Sequence, residues 1–203
     1  MSKLKLTYFD SPTSRGEECR LALFAAGVDF IDNRIPRSDW PGLKPTTPFG
    51  SLPVLEIEGK PPVSQTNMIL GYIGRHYGLL PKDDWETFRL ESLLGACEDL
   101  RAAVGSTFGI QDPEELKRRR AAIVEGPVRT WAGNMEKQIR GPFAGGAALS
   151  VADIKLYVIG TWFKKGVLDH VPTDVLAPFP KLDAVHANVS AHPKIVAWYA
   201  RKS

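Results

Sequence analysis

The first 80 residues alternate between short stretches of strand-like pattern and longer stretches with one apolar helical face. Leu4–Tyr8 alternates apolar and polar residues, which predicts a half-buried strand. Turn residues then precede a helical run, Arg15–Ala26, that stops at Gly27. Val28–Ile35 predicts a second strand, and the proline-rich stretch 36–48 predicts irregular backbone.

The next segment predicts two further strands and a closing helix. Pro53–Ile57 has a strand pattern, and a short fourth strand is expected near Pro62–Ser64 after a tight turn at residues 58–60. From Gln65 to Tyr77 the apolar residues fall on one helical face, and Gly78 predicts the end of that helix. The predicted order is therefore β-α-β followed by β-β-α.

Beyond a predicted linker at residues 80–85, only helical patterns continue. Apolar residues repeat at helical spacing through residues 90–97, which predicts a long helix, and another helix begins near Pro113. A last short helix, Pro193–Arg201, includes Trp198. The second part of the chain is therefore predicted to be entirely helical.

Two polar features of the helical part are predicted to serve folding and solvation. Ser150 and Asp153 have the spacing of a capping box, in which each side chain bonds the backbone amide of the other, so Asp153 is predicted first to be a folding residue. The basic run Lys117–Arg120 lies on a helix rich in Glu, where a solvated face is a better interpretation than a binding patch.

Composition and charge narrow the class of protein. Apolar residues make up 43% and charged residues 24% of the 203 residues, which is typical of a globular chain. The net charge of +3, from 26 basic and 23 acidic residues spread along the chain, argues against a nucleic-acid partner. No signal peptide or membrane span is visible, so a cytoplasmic protein is expected. Cys19 and Cys97 are too few for a disulfide scaffold or a metal cluster, and are predicted to be core residues.

Three groups of residues, in this order and spacing, resemble glutathione transferases, with the sigma class closest in pattern. They are Tyr8-Phe9, the segment from Asp39-Trp40-Pro41 through Lys44 to residues 49–55, and residues 65–69. Weaker similarity reaches the chain end and includes residues 150–153. The resemblance implies an α/β thioredoxin-like domain at residues 1–79, a linker at 80–85, and an all-α domain at 86–203 that carries the pocket for an electrophile.

The resemblance also implies contacts for glutathione, whose two carboxylates and two peptide units require anion donors at both ends and backbone pairing between them. It implies that the bond before Pro53 is cis and that the backbone of Leu52, beside Ser51, pairs with the cysteinyl unit. Gln65 and Thr66 stand at a helix N-terminus, which suits the γ-glutamyl carboxylate. The alternatives are that Pro53 merely begins a strand and that Thr66 merely caps the helix.

The other contacts lie at the two ends of the peptide. Lys44 and the indole N–H of Trp40 would meet the glycyl carboxylate, although a surface lysine and a packing tryptophan are the alternatives. Asp99 corresponds in the resembling family to an acid that reaches the γ-glutamyl amine across a dimer interface, whereas most helical aspartates are simply solvated. The implied partner is a second copy of the chain, related by a two-fold axis.

Tyr8 is the predicted catalytic residue. A free thiol has a pKa near 8.5, so little of it is thiolate at neutral pH, and the thiolate is the nucleophile. A phenol that donates a hydrogen bond to the sulfur favours the thiolate, and a shift of about two pKa units, roughly 2.7 kcal/mol, would make the thiolate the major species. The alternative is an aromatic residue of the core at a strand end.

The loop after Tyr8 departs from the sigma pattern because it is about one residue longer. It places Ser11 and Ser14 where serine-type transferases keep their activating hydroxyl, so either could replace or assist Tyr8. Ser14 is the N-cap of the first helix in the alternative interpretation. Arg15 would aid the thiolate electrostatically, or merely pair with a nearby glutamate.

The predicted function is conjugation of the glutathione thiolate to a small apolar electrophile, with glutathione as co-substrate and no metal. The second pocket is expected near Gly105, Phe108 and the chain end. A glutathione-dependent isomerase, a glutathione-dependent peroxidase and a non-catalytic glutathione-binding module remain alternatives. A thiol-disulfide oxidoreductase is disfavoured because the loop after Tyr8 contains no cysteine.

Overall fold

The computed structural model describes residues 3–201, which contain a four-stranded sheet and nine α-helices. The strands are β1 (Leu4–Phe9), β2 (Phe30–Ile35), β3 (Val54–Ile57) and β4 (Val63–Ser64). The helices are α1 (Arg15–Ala25), α2 (Trp40–Leu43), α3 (Thr66–Tyr77), α4 (Asp84–Gly105), α5 (Pro113–Ile123), α6 (Arg129–Gln138), α7 (Val151–Lys164), α8 (Pro180–Ala191) and α9 (Pro193–Ala200). A π-helical turn, Val124–Val128, joins α5 to α6.

The sheet has the order β2-β1-β3-β4, with β1 parallel to β2 and antiparallel to β3, and β3 antiparallel to β4. The strand β1 is therefore paired on both sides. Its residues Leu4 and Leu6 are buried at 4% and 0% exposure, as a central strand requires. The predicted β-α-β and β-β-α order is confirmed, and an α/β thioredoxin-like part precedes a helical part.

Two compact units are present among the described residues. One comprises residues up to Lys82 together with those from His192 onward, and the other comprises Asp83–Ala191. Helix α9 thus groups with the sheet, whereas the sequence places residues 86–203 together; that domain assignment stays a prediction. No helix in residues 3–201 is long and apolar enough to cross a membrane.

Two local expectations are wrong. The stretch 36–48 is not irregular, because it forms α2 and short 3-10 turns, Arg37–Asp39 and Lys44–Thr46, in which Pro41 and Pro45 take early helical positions that suit their fixed φ. Arg120 does not lie on a solvated face. It is only 5% exposed, and its guanidinium lies 5.5 Å from the ring centroid of Phe108.

Helix α7 is the core of the second unit, since all of its residues except Lys164 are buried. Its first turn contains the predicted capping box: Asp153 accepts from the Ser150 amide at 2.8 Å, and the Ser150 hydroxyl accepts from the Asp153 amide at 3.4 Å. Asp153 also accepts from the Ala144 amide at 2.6 Å. Burial raises the pKa of this carboxyl, and the hydrogen bonds oppose that rise. Asp153 therefore fixes both the helix start and the loop before it.

His186 of α8 packs against the middle of α7. Its Nε2 lies 3.2 Å from the Thr161 hydroxyl, its ring centroid lies 4.8 Å from that of Tyr157, and it occupies the space that a side chain at Gly160 would fill. Burial, reinforced by the charge of Lys164, lowers the pKa of His186 to about 4. The folded protein therefore holds this imidazole neutral.

We predict that His186 makes the fold sensitive to mild acid. Its folded pKa, about 4, is below the ordinary value of 6.5, so the unfolded chain takes up the proton first and stability falls between these two pH values. His186→Gln should remove up to about 3 kcal/mol of that fall. Urea denaturation at pH 7, 5.5 and 4.5 measures it, with His76→Gln, at an exposed position, as control. Identical pH profiles for all three proteins would contradict the assignment.

Candidate active site

The sheet register brings three of the predicted site residues into one row. Thr7 of β1 pairs with Val54 of β3, and Val54 pairs with Ser64 of β4. Each of these pairs is antiparallel, so continuing the register by one residue puts Tyr8, Pro53 and Gln65 side by side at one end of the sheet. Residues that are 12 to 57 positions apart along the chain therefore become neighbours.

The segment before β3 has an unusual backbone. The Leu52–Pro53 bond is cis, as the resemblance implies, and Phe49 just before it has a left-handed φ of 56°. The hydroxyl of Ser51 lies 3.3 Å from the Pro48 carbonyl and from the Ser64 hydroxyl. Ser51 and Leu52 are half-buried at the edge of the row.

The start of α3 contains both a strained residue and an unsatisfied hydroxyl. Gln65 precedes the helix with φ 81° and ψ 105°, a conformation that non-glycine residues rarely adopt. Thr66, the first helical residue, is 5% exposed and its hydroxyl has no hydrogen-bond partner. The hydroxyl therefore does not cap the helix. A buried hydroxyl without a partner is costly, and an acceptor atom of a bound ligand would satisfy it.

Trp40 and Lys44 lie together on the α2 side of this region. They are four residues apart in a helical segment, and the Lys44 amide donates to the Trp40 carbonyl, so both side chains are on one face. The ring of Trp40 packs edge-on against Phe9 at 6.0 Å, and Phe9 packs against Tyr8 at 5.5 Å. The exposed Lys44 side chain passes close to Gly50. A directional N–H donor and an exposed cation thus flank the strand end that carries Tyr8.

The Tyr8 ring is half-buried and packs directly on the backbone of Gly16 in α1. A Cβ atom at Gly16 would lie under 3.0 Å from three atoms of Tyr8. The glycine is therefore required for this close approach of ring and helix. It is a site residue that the sequence analysis missed, and only a glycine in the first turn of a helix beside the motif signals it.

The Ser14 hydroxyl is engaged within the loop, and the activating role predicted for Ser11 or Ser14 stays a prediction. Ser14 is in the N-cap position of α1, but its hydroxyl makes no capping bond and donates instead to the Ser11 carbonyl at 3.1 Å. Its proton is thus directed into the loop. Arg15 begins α1 and is half-buried, which leaves its predicted electrostatic role a prediction.

The sequence analysis also missed a buried polar network at the end of β1, next to Tyr8. Arg20, with 0% exposure, donates to the Phe9 carbonyl at 3.0 Å and to Asp32 at 2.7 Å. Its neighbour Glu17 accepts from the indole of Trp198 at 2.8 Å. The end of β1 is therefore held by a charged group from α1. The sequence signal for such a network is an arginine that follows two glutamates and directly precedes the apolar run 21–26 of the same helix.

The remaining predicted residues lie in the second unit. Asp99 is an exposed residue of α4. Gly105 ends that helix, and Phe108 follows it with 61% of its side chain exposed. Among residues 3–201, no group of His, Cys, Asp and Glu is arranged to hold a metal ion.

Two domain models of one protein family match this chain. The N-terminal domain model of glutathione S-transferases matches residues 4–75, and a C-terminal domain model of glutathione S-transferases matches residues 98–202. Together they include every predicted site residue of both units.

Individual relatives agree with these matches. A glutathione S-transferase 1 of Ascaris suum is 43% identical over 110 residues, which is 54% of this chain and about half, 52%, of that relative. A hematopoietic prostaglandin D synthase of Gallus gallus is 28% identical over 207 residues, covering 100% of this chain and 98% of the relative. The structure of a prostaglandin synthase D of Nilaparvata lugens superimposes with a TM-score of 0.86 at 29% identity, over 99% of this chain and 98% of that one.

We predict that Gly16→Ala destabilises the protein by about 1–3 kcal/mol, because the added methyl group would overlap the Tyr8 ring. The matched control is Gly95→Ala, at an exposed helical position where a Cβ would meet nothing within 4 Å. That control should gain about 0.5–1 kcal/mol from helix propensity. Chemical denaturation measures both variants. Equal stabilisation by the two substitutions would show that Tyr8 does not pack as described.

Proposed function

Because the chain belongs to the glutathione S-transferase family, we propose that it ionises bound glutathione and conjugates the thiolate to a small apolar electrophile. Glutathione is the co-substrate. The thiol gives up its proton to solvent, the sulfur forms a bond to an electrophilic carbon, and the leaving group departs with its electron pair. We assign the reaction to the cytosol, where glutathione is kept reduced.

The observation that carries the proposal is the unsatisfied Thr66 hydroxyl, one residue beyond the row that contains Tyr8. A carboxylate at this position would accept from the hydroxyl and from the free amides of the first turn of α3, where the helix dipole also favours negative charge. The γ-glutamyl end of glutathione supplies such a carboxylate. The strained backbone of Gln65 supports the same proposal, since such strain is concentrated at ligand sites.

The other proposed contacts hold the rest of the glutathione molecule. We propose that the backbone of Leu52 pairs with the cysteinyl unit, beside Ser51 and Pro53, and that Trp40 and Lys44 hold the glycyl carboxylate. The sulfur then lies beside the Tyr8 hydroxyl, which donates a hydrogen bond to it. Rate comes from stabilising the thiolate and from holding the two reactants together. Phe108, an exposed aromatic residue, supports the proposed position of the electrophile near Gly105.

An isomerase on the same site is the second candidate. A relative and a structural neighbour, both similar over nearly the whole chain, are named prostaglandin D synthases. An isomerase uses the same thiolate but returns it unchanged, so glutathione is not consumed. A peroxidase reaction would oxidise glutathione instead, and a binding module would do neither. Loss of the free thiol without glutathione disulfide indicates a transferase, and loss with disulfide indicates a peroxidase. Conversion of the second substrate without thiol loss indicates an isomerase, and no conversion indicates a binding module.

We predict that Tyr8→Phe lowers conjugation of chlorodinitrobenzene about 25-fold at pH 7. That factor follows if Tyr8 lowers the pKa of the glutathione thiol from about 8.5 to about 6.5. At pH 9 the bound thiol is mostly ionised in both wild type and the variant, so the difference in activity should shrink to less than about twofold. Retention on glutathione-agarose should persist, because the carboxylate contacts remain.

The matched control is Ser14→Ala, which removes a hydroxyl that donates to the Ser11 carbonyl and should keep wild-type activity at both pH values. Full activity of Tyr8→Phe together with loss of activity in Ser14→Ala would show that Ser14, and not Tyr8, activates the thiol. Retention on the matrix without any turnover of wild type would favour the binding module.

We also propose that the protein acts as a homodimer. Phe49 is 82% exposed, and Trp85 and Phe88 of α4 are 70% and 62% exposed, so large apolar side chains project from both units. The second unit contains a cavity of about 540 Å³ between α4 and α6, with Asp99 at its margin. In a two-fold symmetric dimer, Phe49 of each protomer would enter this cavity of its partner, and Asp99 would approach the partner's glutathione.

Phe49→Ser should therefore raise the dimer dissociation constant at least about tenfold, as expected for a buried aromatic anchor. Val167→Ser, which removes another exposed apolar side chain from a loop, is the matched control and should leave the constant unchanged. Sedimentation velocity over a concentration series measures both. If Phe49→Ser dimerises like wild type, Phe49 does not enter the partner's cavity as proposed.

A further inference from the structure

Helix α5 buries one charged residue. Of the residues of this helix, Pro113–Ile123, only Arg120 is buried. The apolar residues Leu116 and Val124 lie four positions before and after it, so Arg120 stands on the inward face of the helix, where an apolar side chain is expected. Arginine is almost never fully buried in a protein unless its charge is paired. The buried position of Arg120 therefore requires a partner for its charge.

The ligand-free protein does not satisfy this guanidinium. The Nε and Nη1 atoms of Arg120 are buried, and neither has a hydrogen-bond partner among residues 3–201. Burial lowers the pKa of the guanidinium, and the charge of Asp169 acts in the opposite direction. Asp169 thus acts on Arg120 through space, without a hydrogen bond to either buried nitrogen. The unsatisfied N–H donors are costly, and an anionic acceptor would satisfy them.

Phe108 lies over this guanidinium. The centroid of its ring is 5.5 Å from the Cζ atom of Arg120. An aromatic ring attracts a cation but is at best a weak acceptor of hydrogen bonds, so Phe108 cannot replace an anion. The phenylalanine itself is 61% exposed. It therefore shields the cation and also presents an apolar surface to a ligand.

The backbone that carries Phe108 is held by the turn after α4. The Phe108 amide donates to the Gly105 carbonyl at 3.0 Å, and the Thr107 amide donates to the Val104 carbonyl at 3.1 Å. The buried hydroxyl of Thr107 donates to the same Val104 carbonyl at 2.7 Å. These polar groups of the turn are already engaged. Recognition of an anion at this place therefore depends on the guanidinium of Arg120.

We propose that Arg120 is the anion-binding residue of the electrophile site, and that the favoured electrophiles have a carboxylate attached to a flat apolar body. The Phe108 ring turns to admit the ligand and packs on the apolar body, and the carboxylate accepts hydrogen bonds from Arg120. The proposal rests on the proposed function for the place of the electrophile near Gly105. The carboxylate takes no part in the reaction, since the sulfur attacks an electrophilic carbon elsewhere in the molecule.

The test measures binding without turnover. Its probes are 3,5-dinitrobenzoate and uncharged 1,3-dinitrobenzene, which share a ring and lack the chloride that conjugation displaces. Isothermal titration calorimetry of the full chain, with saturating glutathione, gives the dissociation constant of each probe. Wild type should bind the benzoate at least about tenfold more tightly, because the carboxylate makes charge-assisted hydrogen bonds to a buried guanidinium.

Three variants assign this preference to Arg120. Arg120→Met removes the charge from a side chain of similar length and should abolish the preference. Arg119→Met is the matched control, since it removes the same charge from the same helix at a side chain that is 52% exposed, and it should keep the preference. Asp169→Asn removes the opposing charge and should increase the preference about two- to fivefold.

Urea denaturation of the ligand-free proteins separates ligand binding from a structural role. Arg120→Met should be at least as stable as wild type, because it removes a buried charge that has no partner. A gain in Asp169→Asn cannot arise from misfolding. The proposal is overturned if Arg120→Met and Arg119→Met prefer the benzoate equally, or if Asp169→Asn shows no gain.

Conjugation of chlorodinitrobenzene by wild type tests the proposed function separately, because this electrophile has no anionic group. Absence of conjugation together with the benzoate preference would contradict the transferase function and support the anion site. Conjugation without the benzoate preference would overturn the anion site alone.

Discussion

In the proposed function, the position of the Tyr8 hydroxyl governs the chemistry, because a hydrogen bond to a sulfur atom acts only over about 3–4 Å. Three features fix that position. The strand β1 is paired on both sides, Gly16 lets the tyrosine ring rest directly on α1, and Arg20 holds the carbonyl of Phe9 that follows it. The tyrosine ring is thus positioned by backbone register, by packing on α1 and by a buried charge.

Other residues of the candidate site have strained backbone angles or unsatisfied buried groups, which lower the stability of the ligand-free protein. Phe49 and Gln65 adopt left-handed backbone angles, and Thr66 buries a hydroxyl without a partner. Each is unfavourable by about 1–3 kcal/mol in the absence of a compensating contact. The surrounding sheet and α3 stabilise these features, and the proposed peptide would satisfy the hydroxyl. Binding and fold are therefore linked through the same few residues.

Local sequence patterns predicted the order of strands and helices and the capping box at Ser150 and Asp153. They could do so because periodicity and capping depend on neighbours only a few residues away. Partners far apart in the chain could not be found in this way. Lys155 is fully buried on α7 because it pairs with Glu98, 57 residues earlier, and Trp198 bonds Glu17, 181 residues earlier. The candidate site was predicted through family resemblance, and the packing behind Tyr8 was not.

The pKa of the glutathione thiol bound to the protein is the most direct measure of what Tyr8 does. It can be followed by the ultraviolet absorbance of the thiolate in a pH titration of the complex with wild-type protein. The account predicts a value near 6.5, about two units below the ordinary thiol pKa of about 8.5. A bound thiol that titrates at about 8.5 would contradict it.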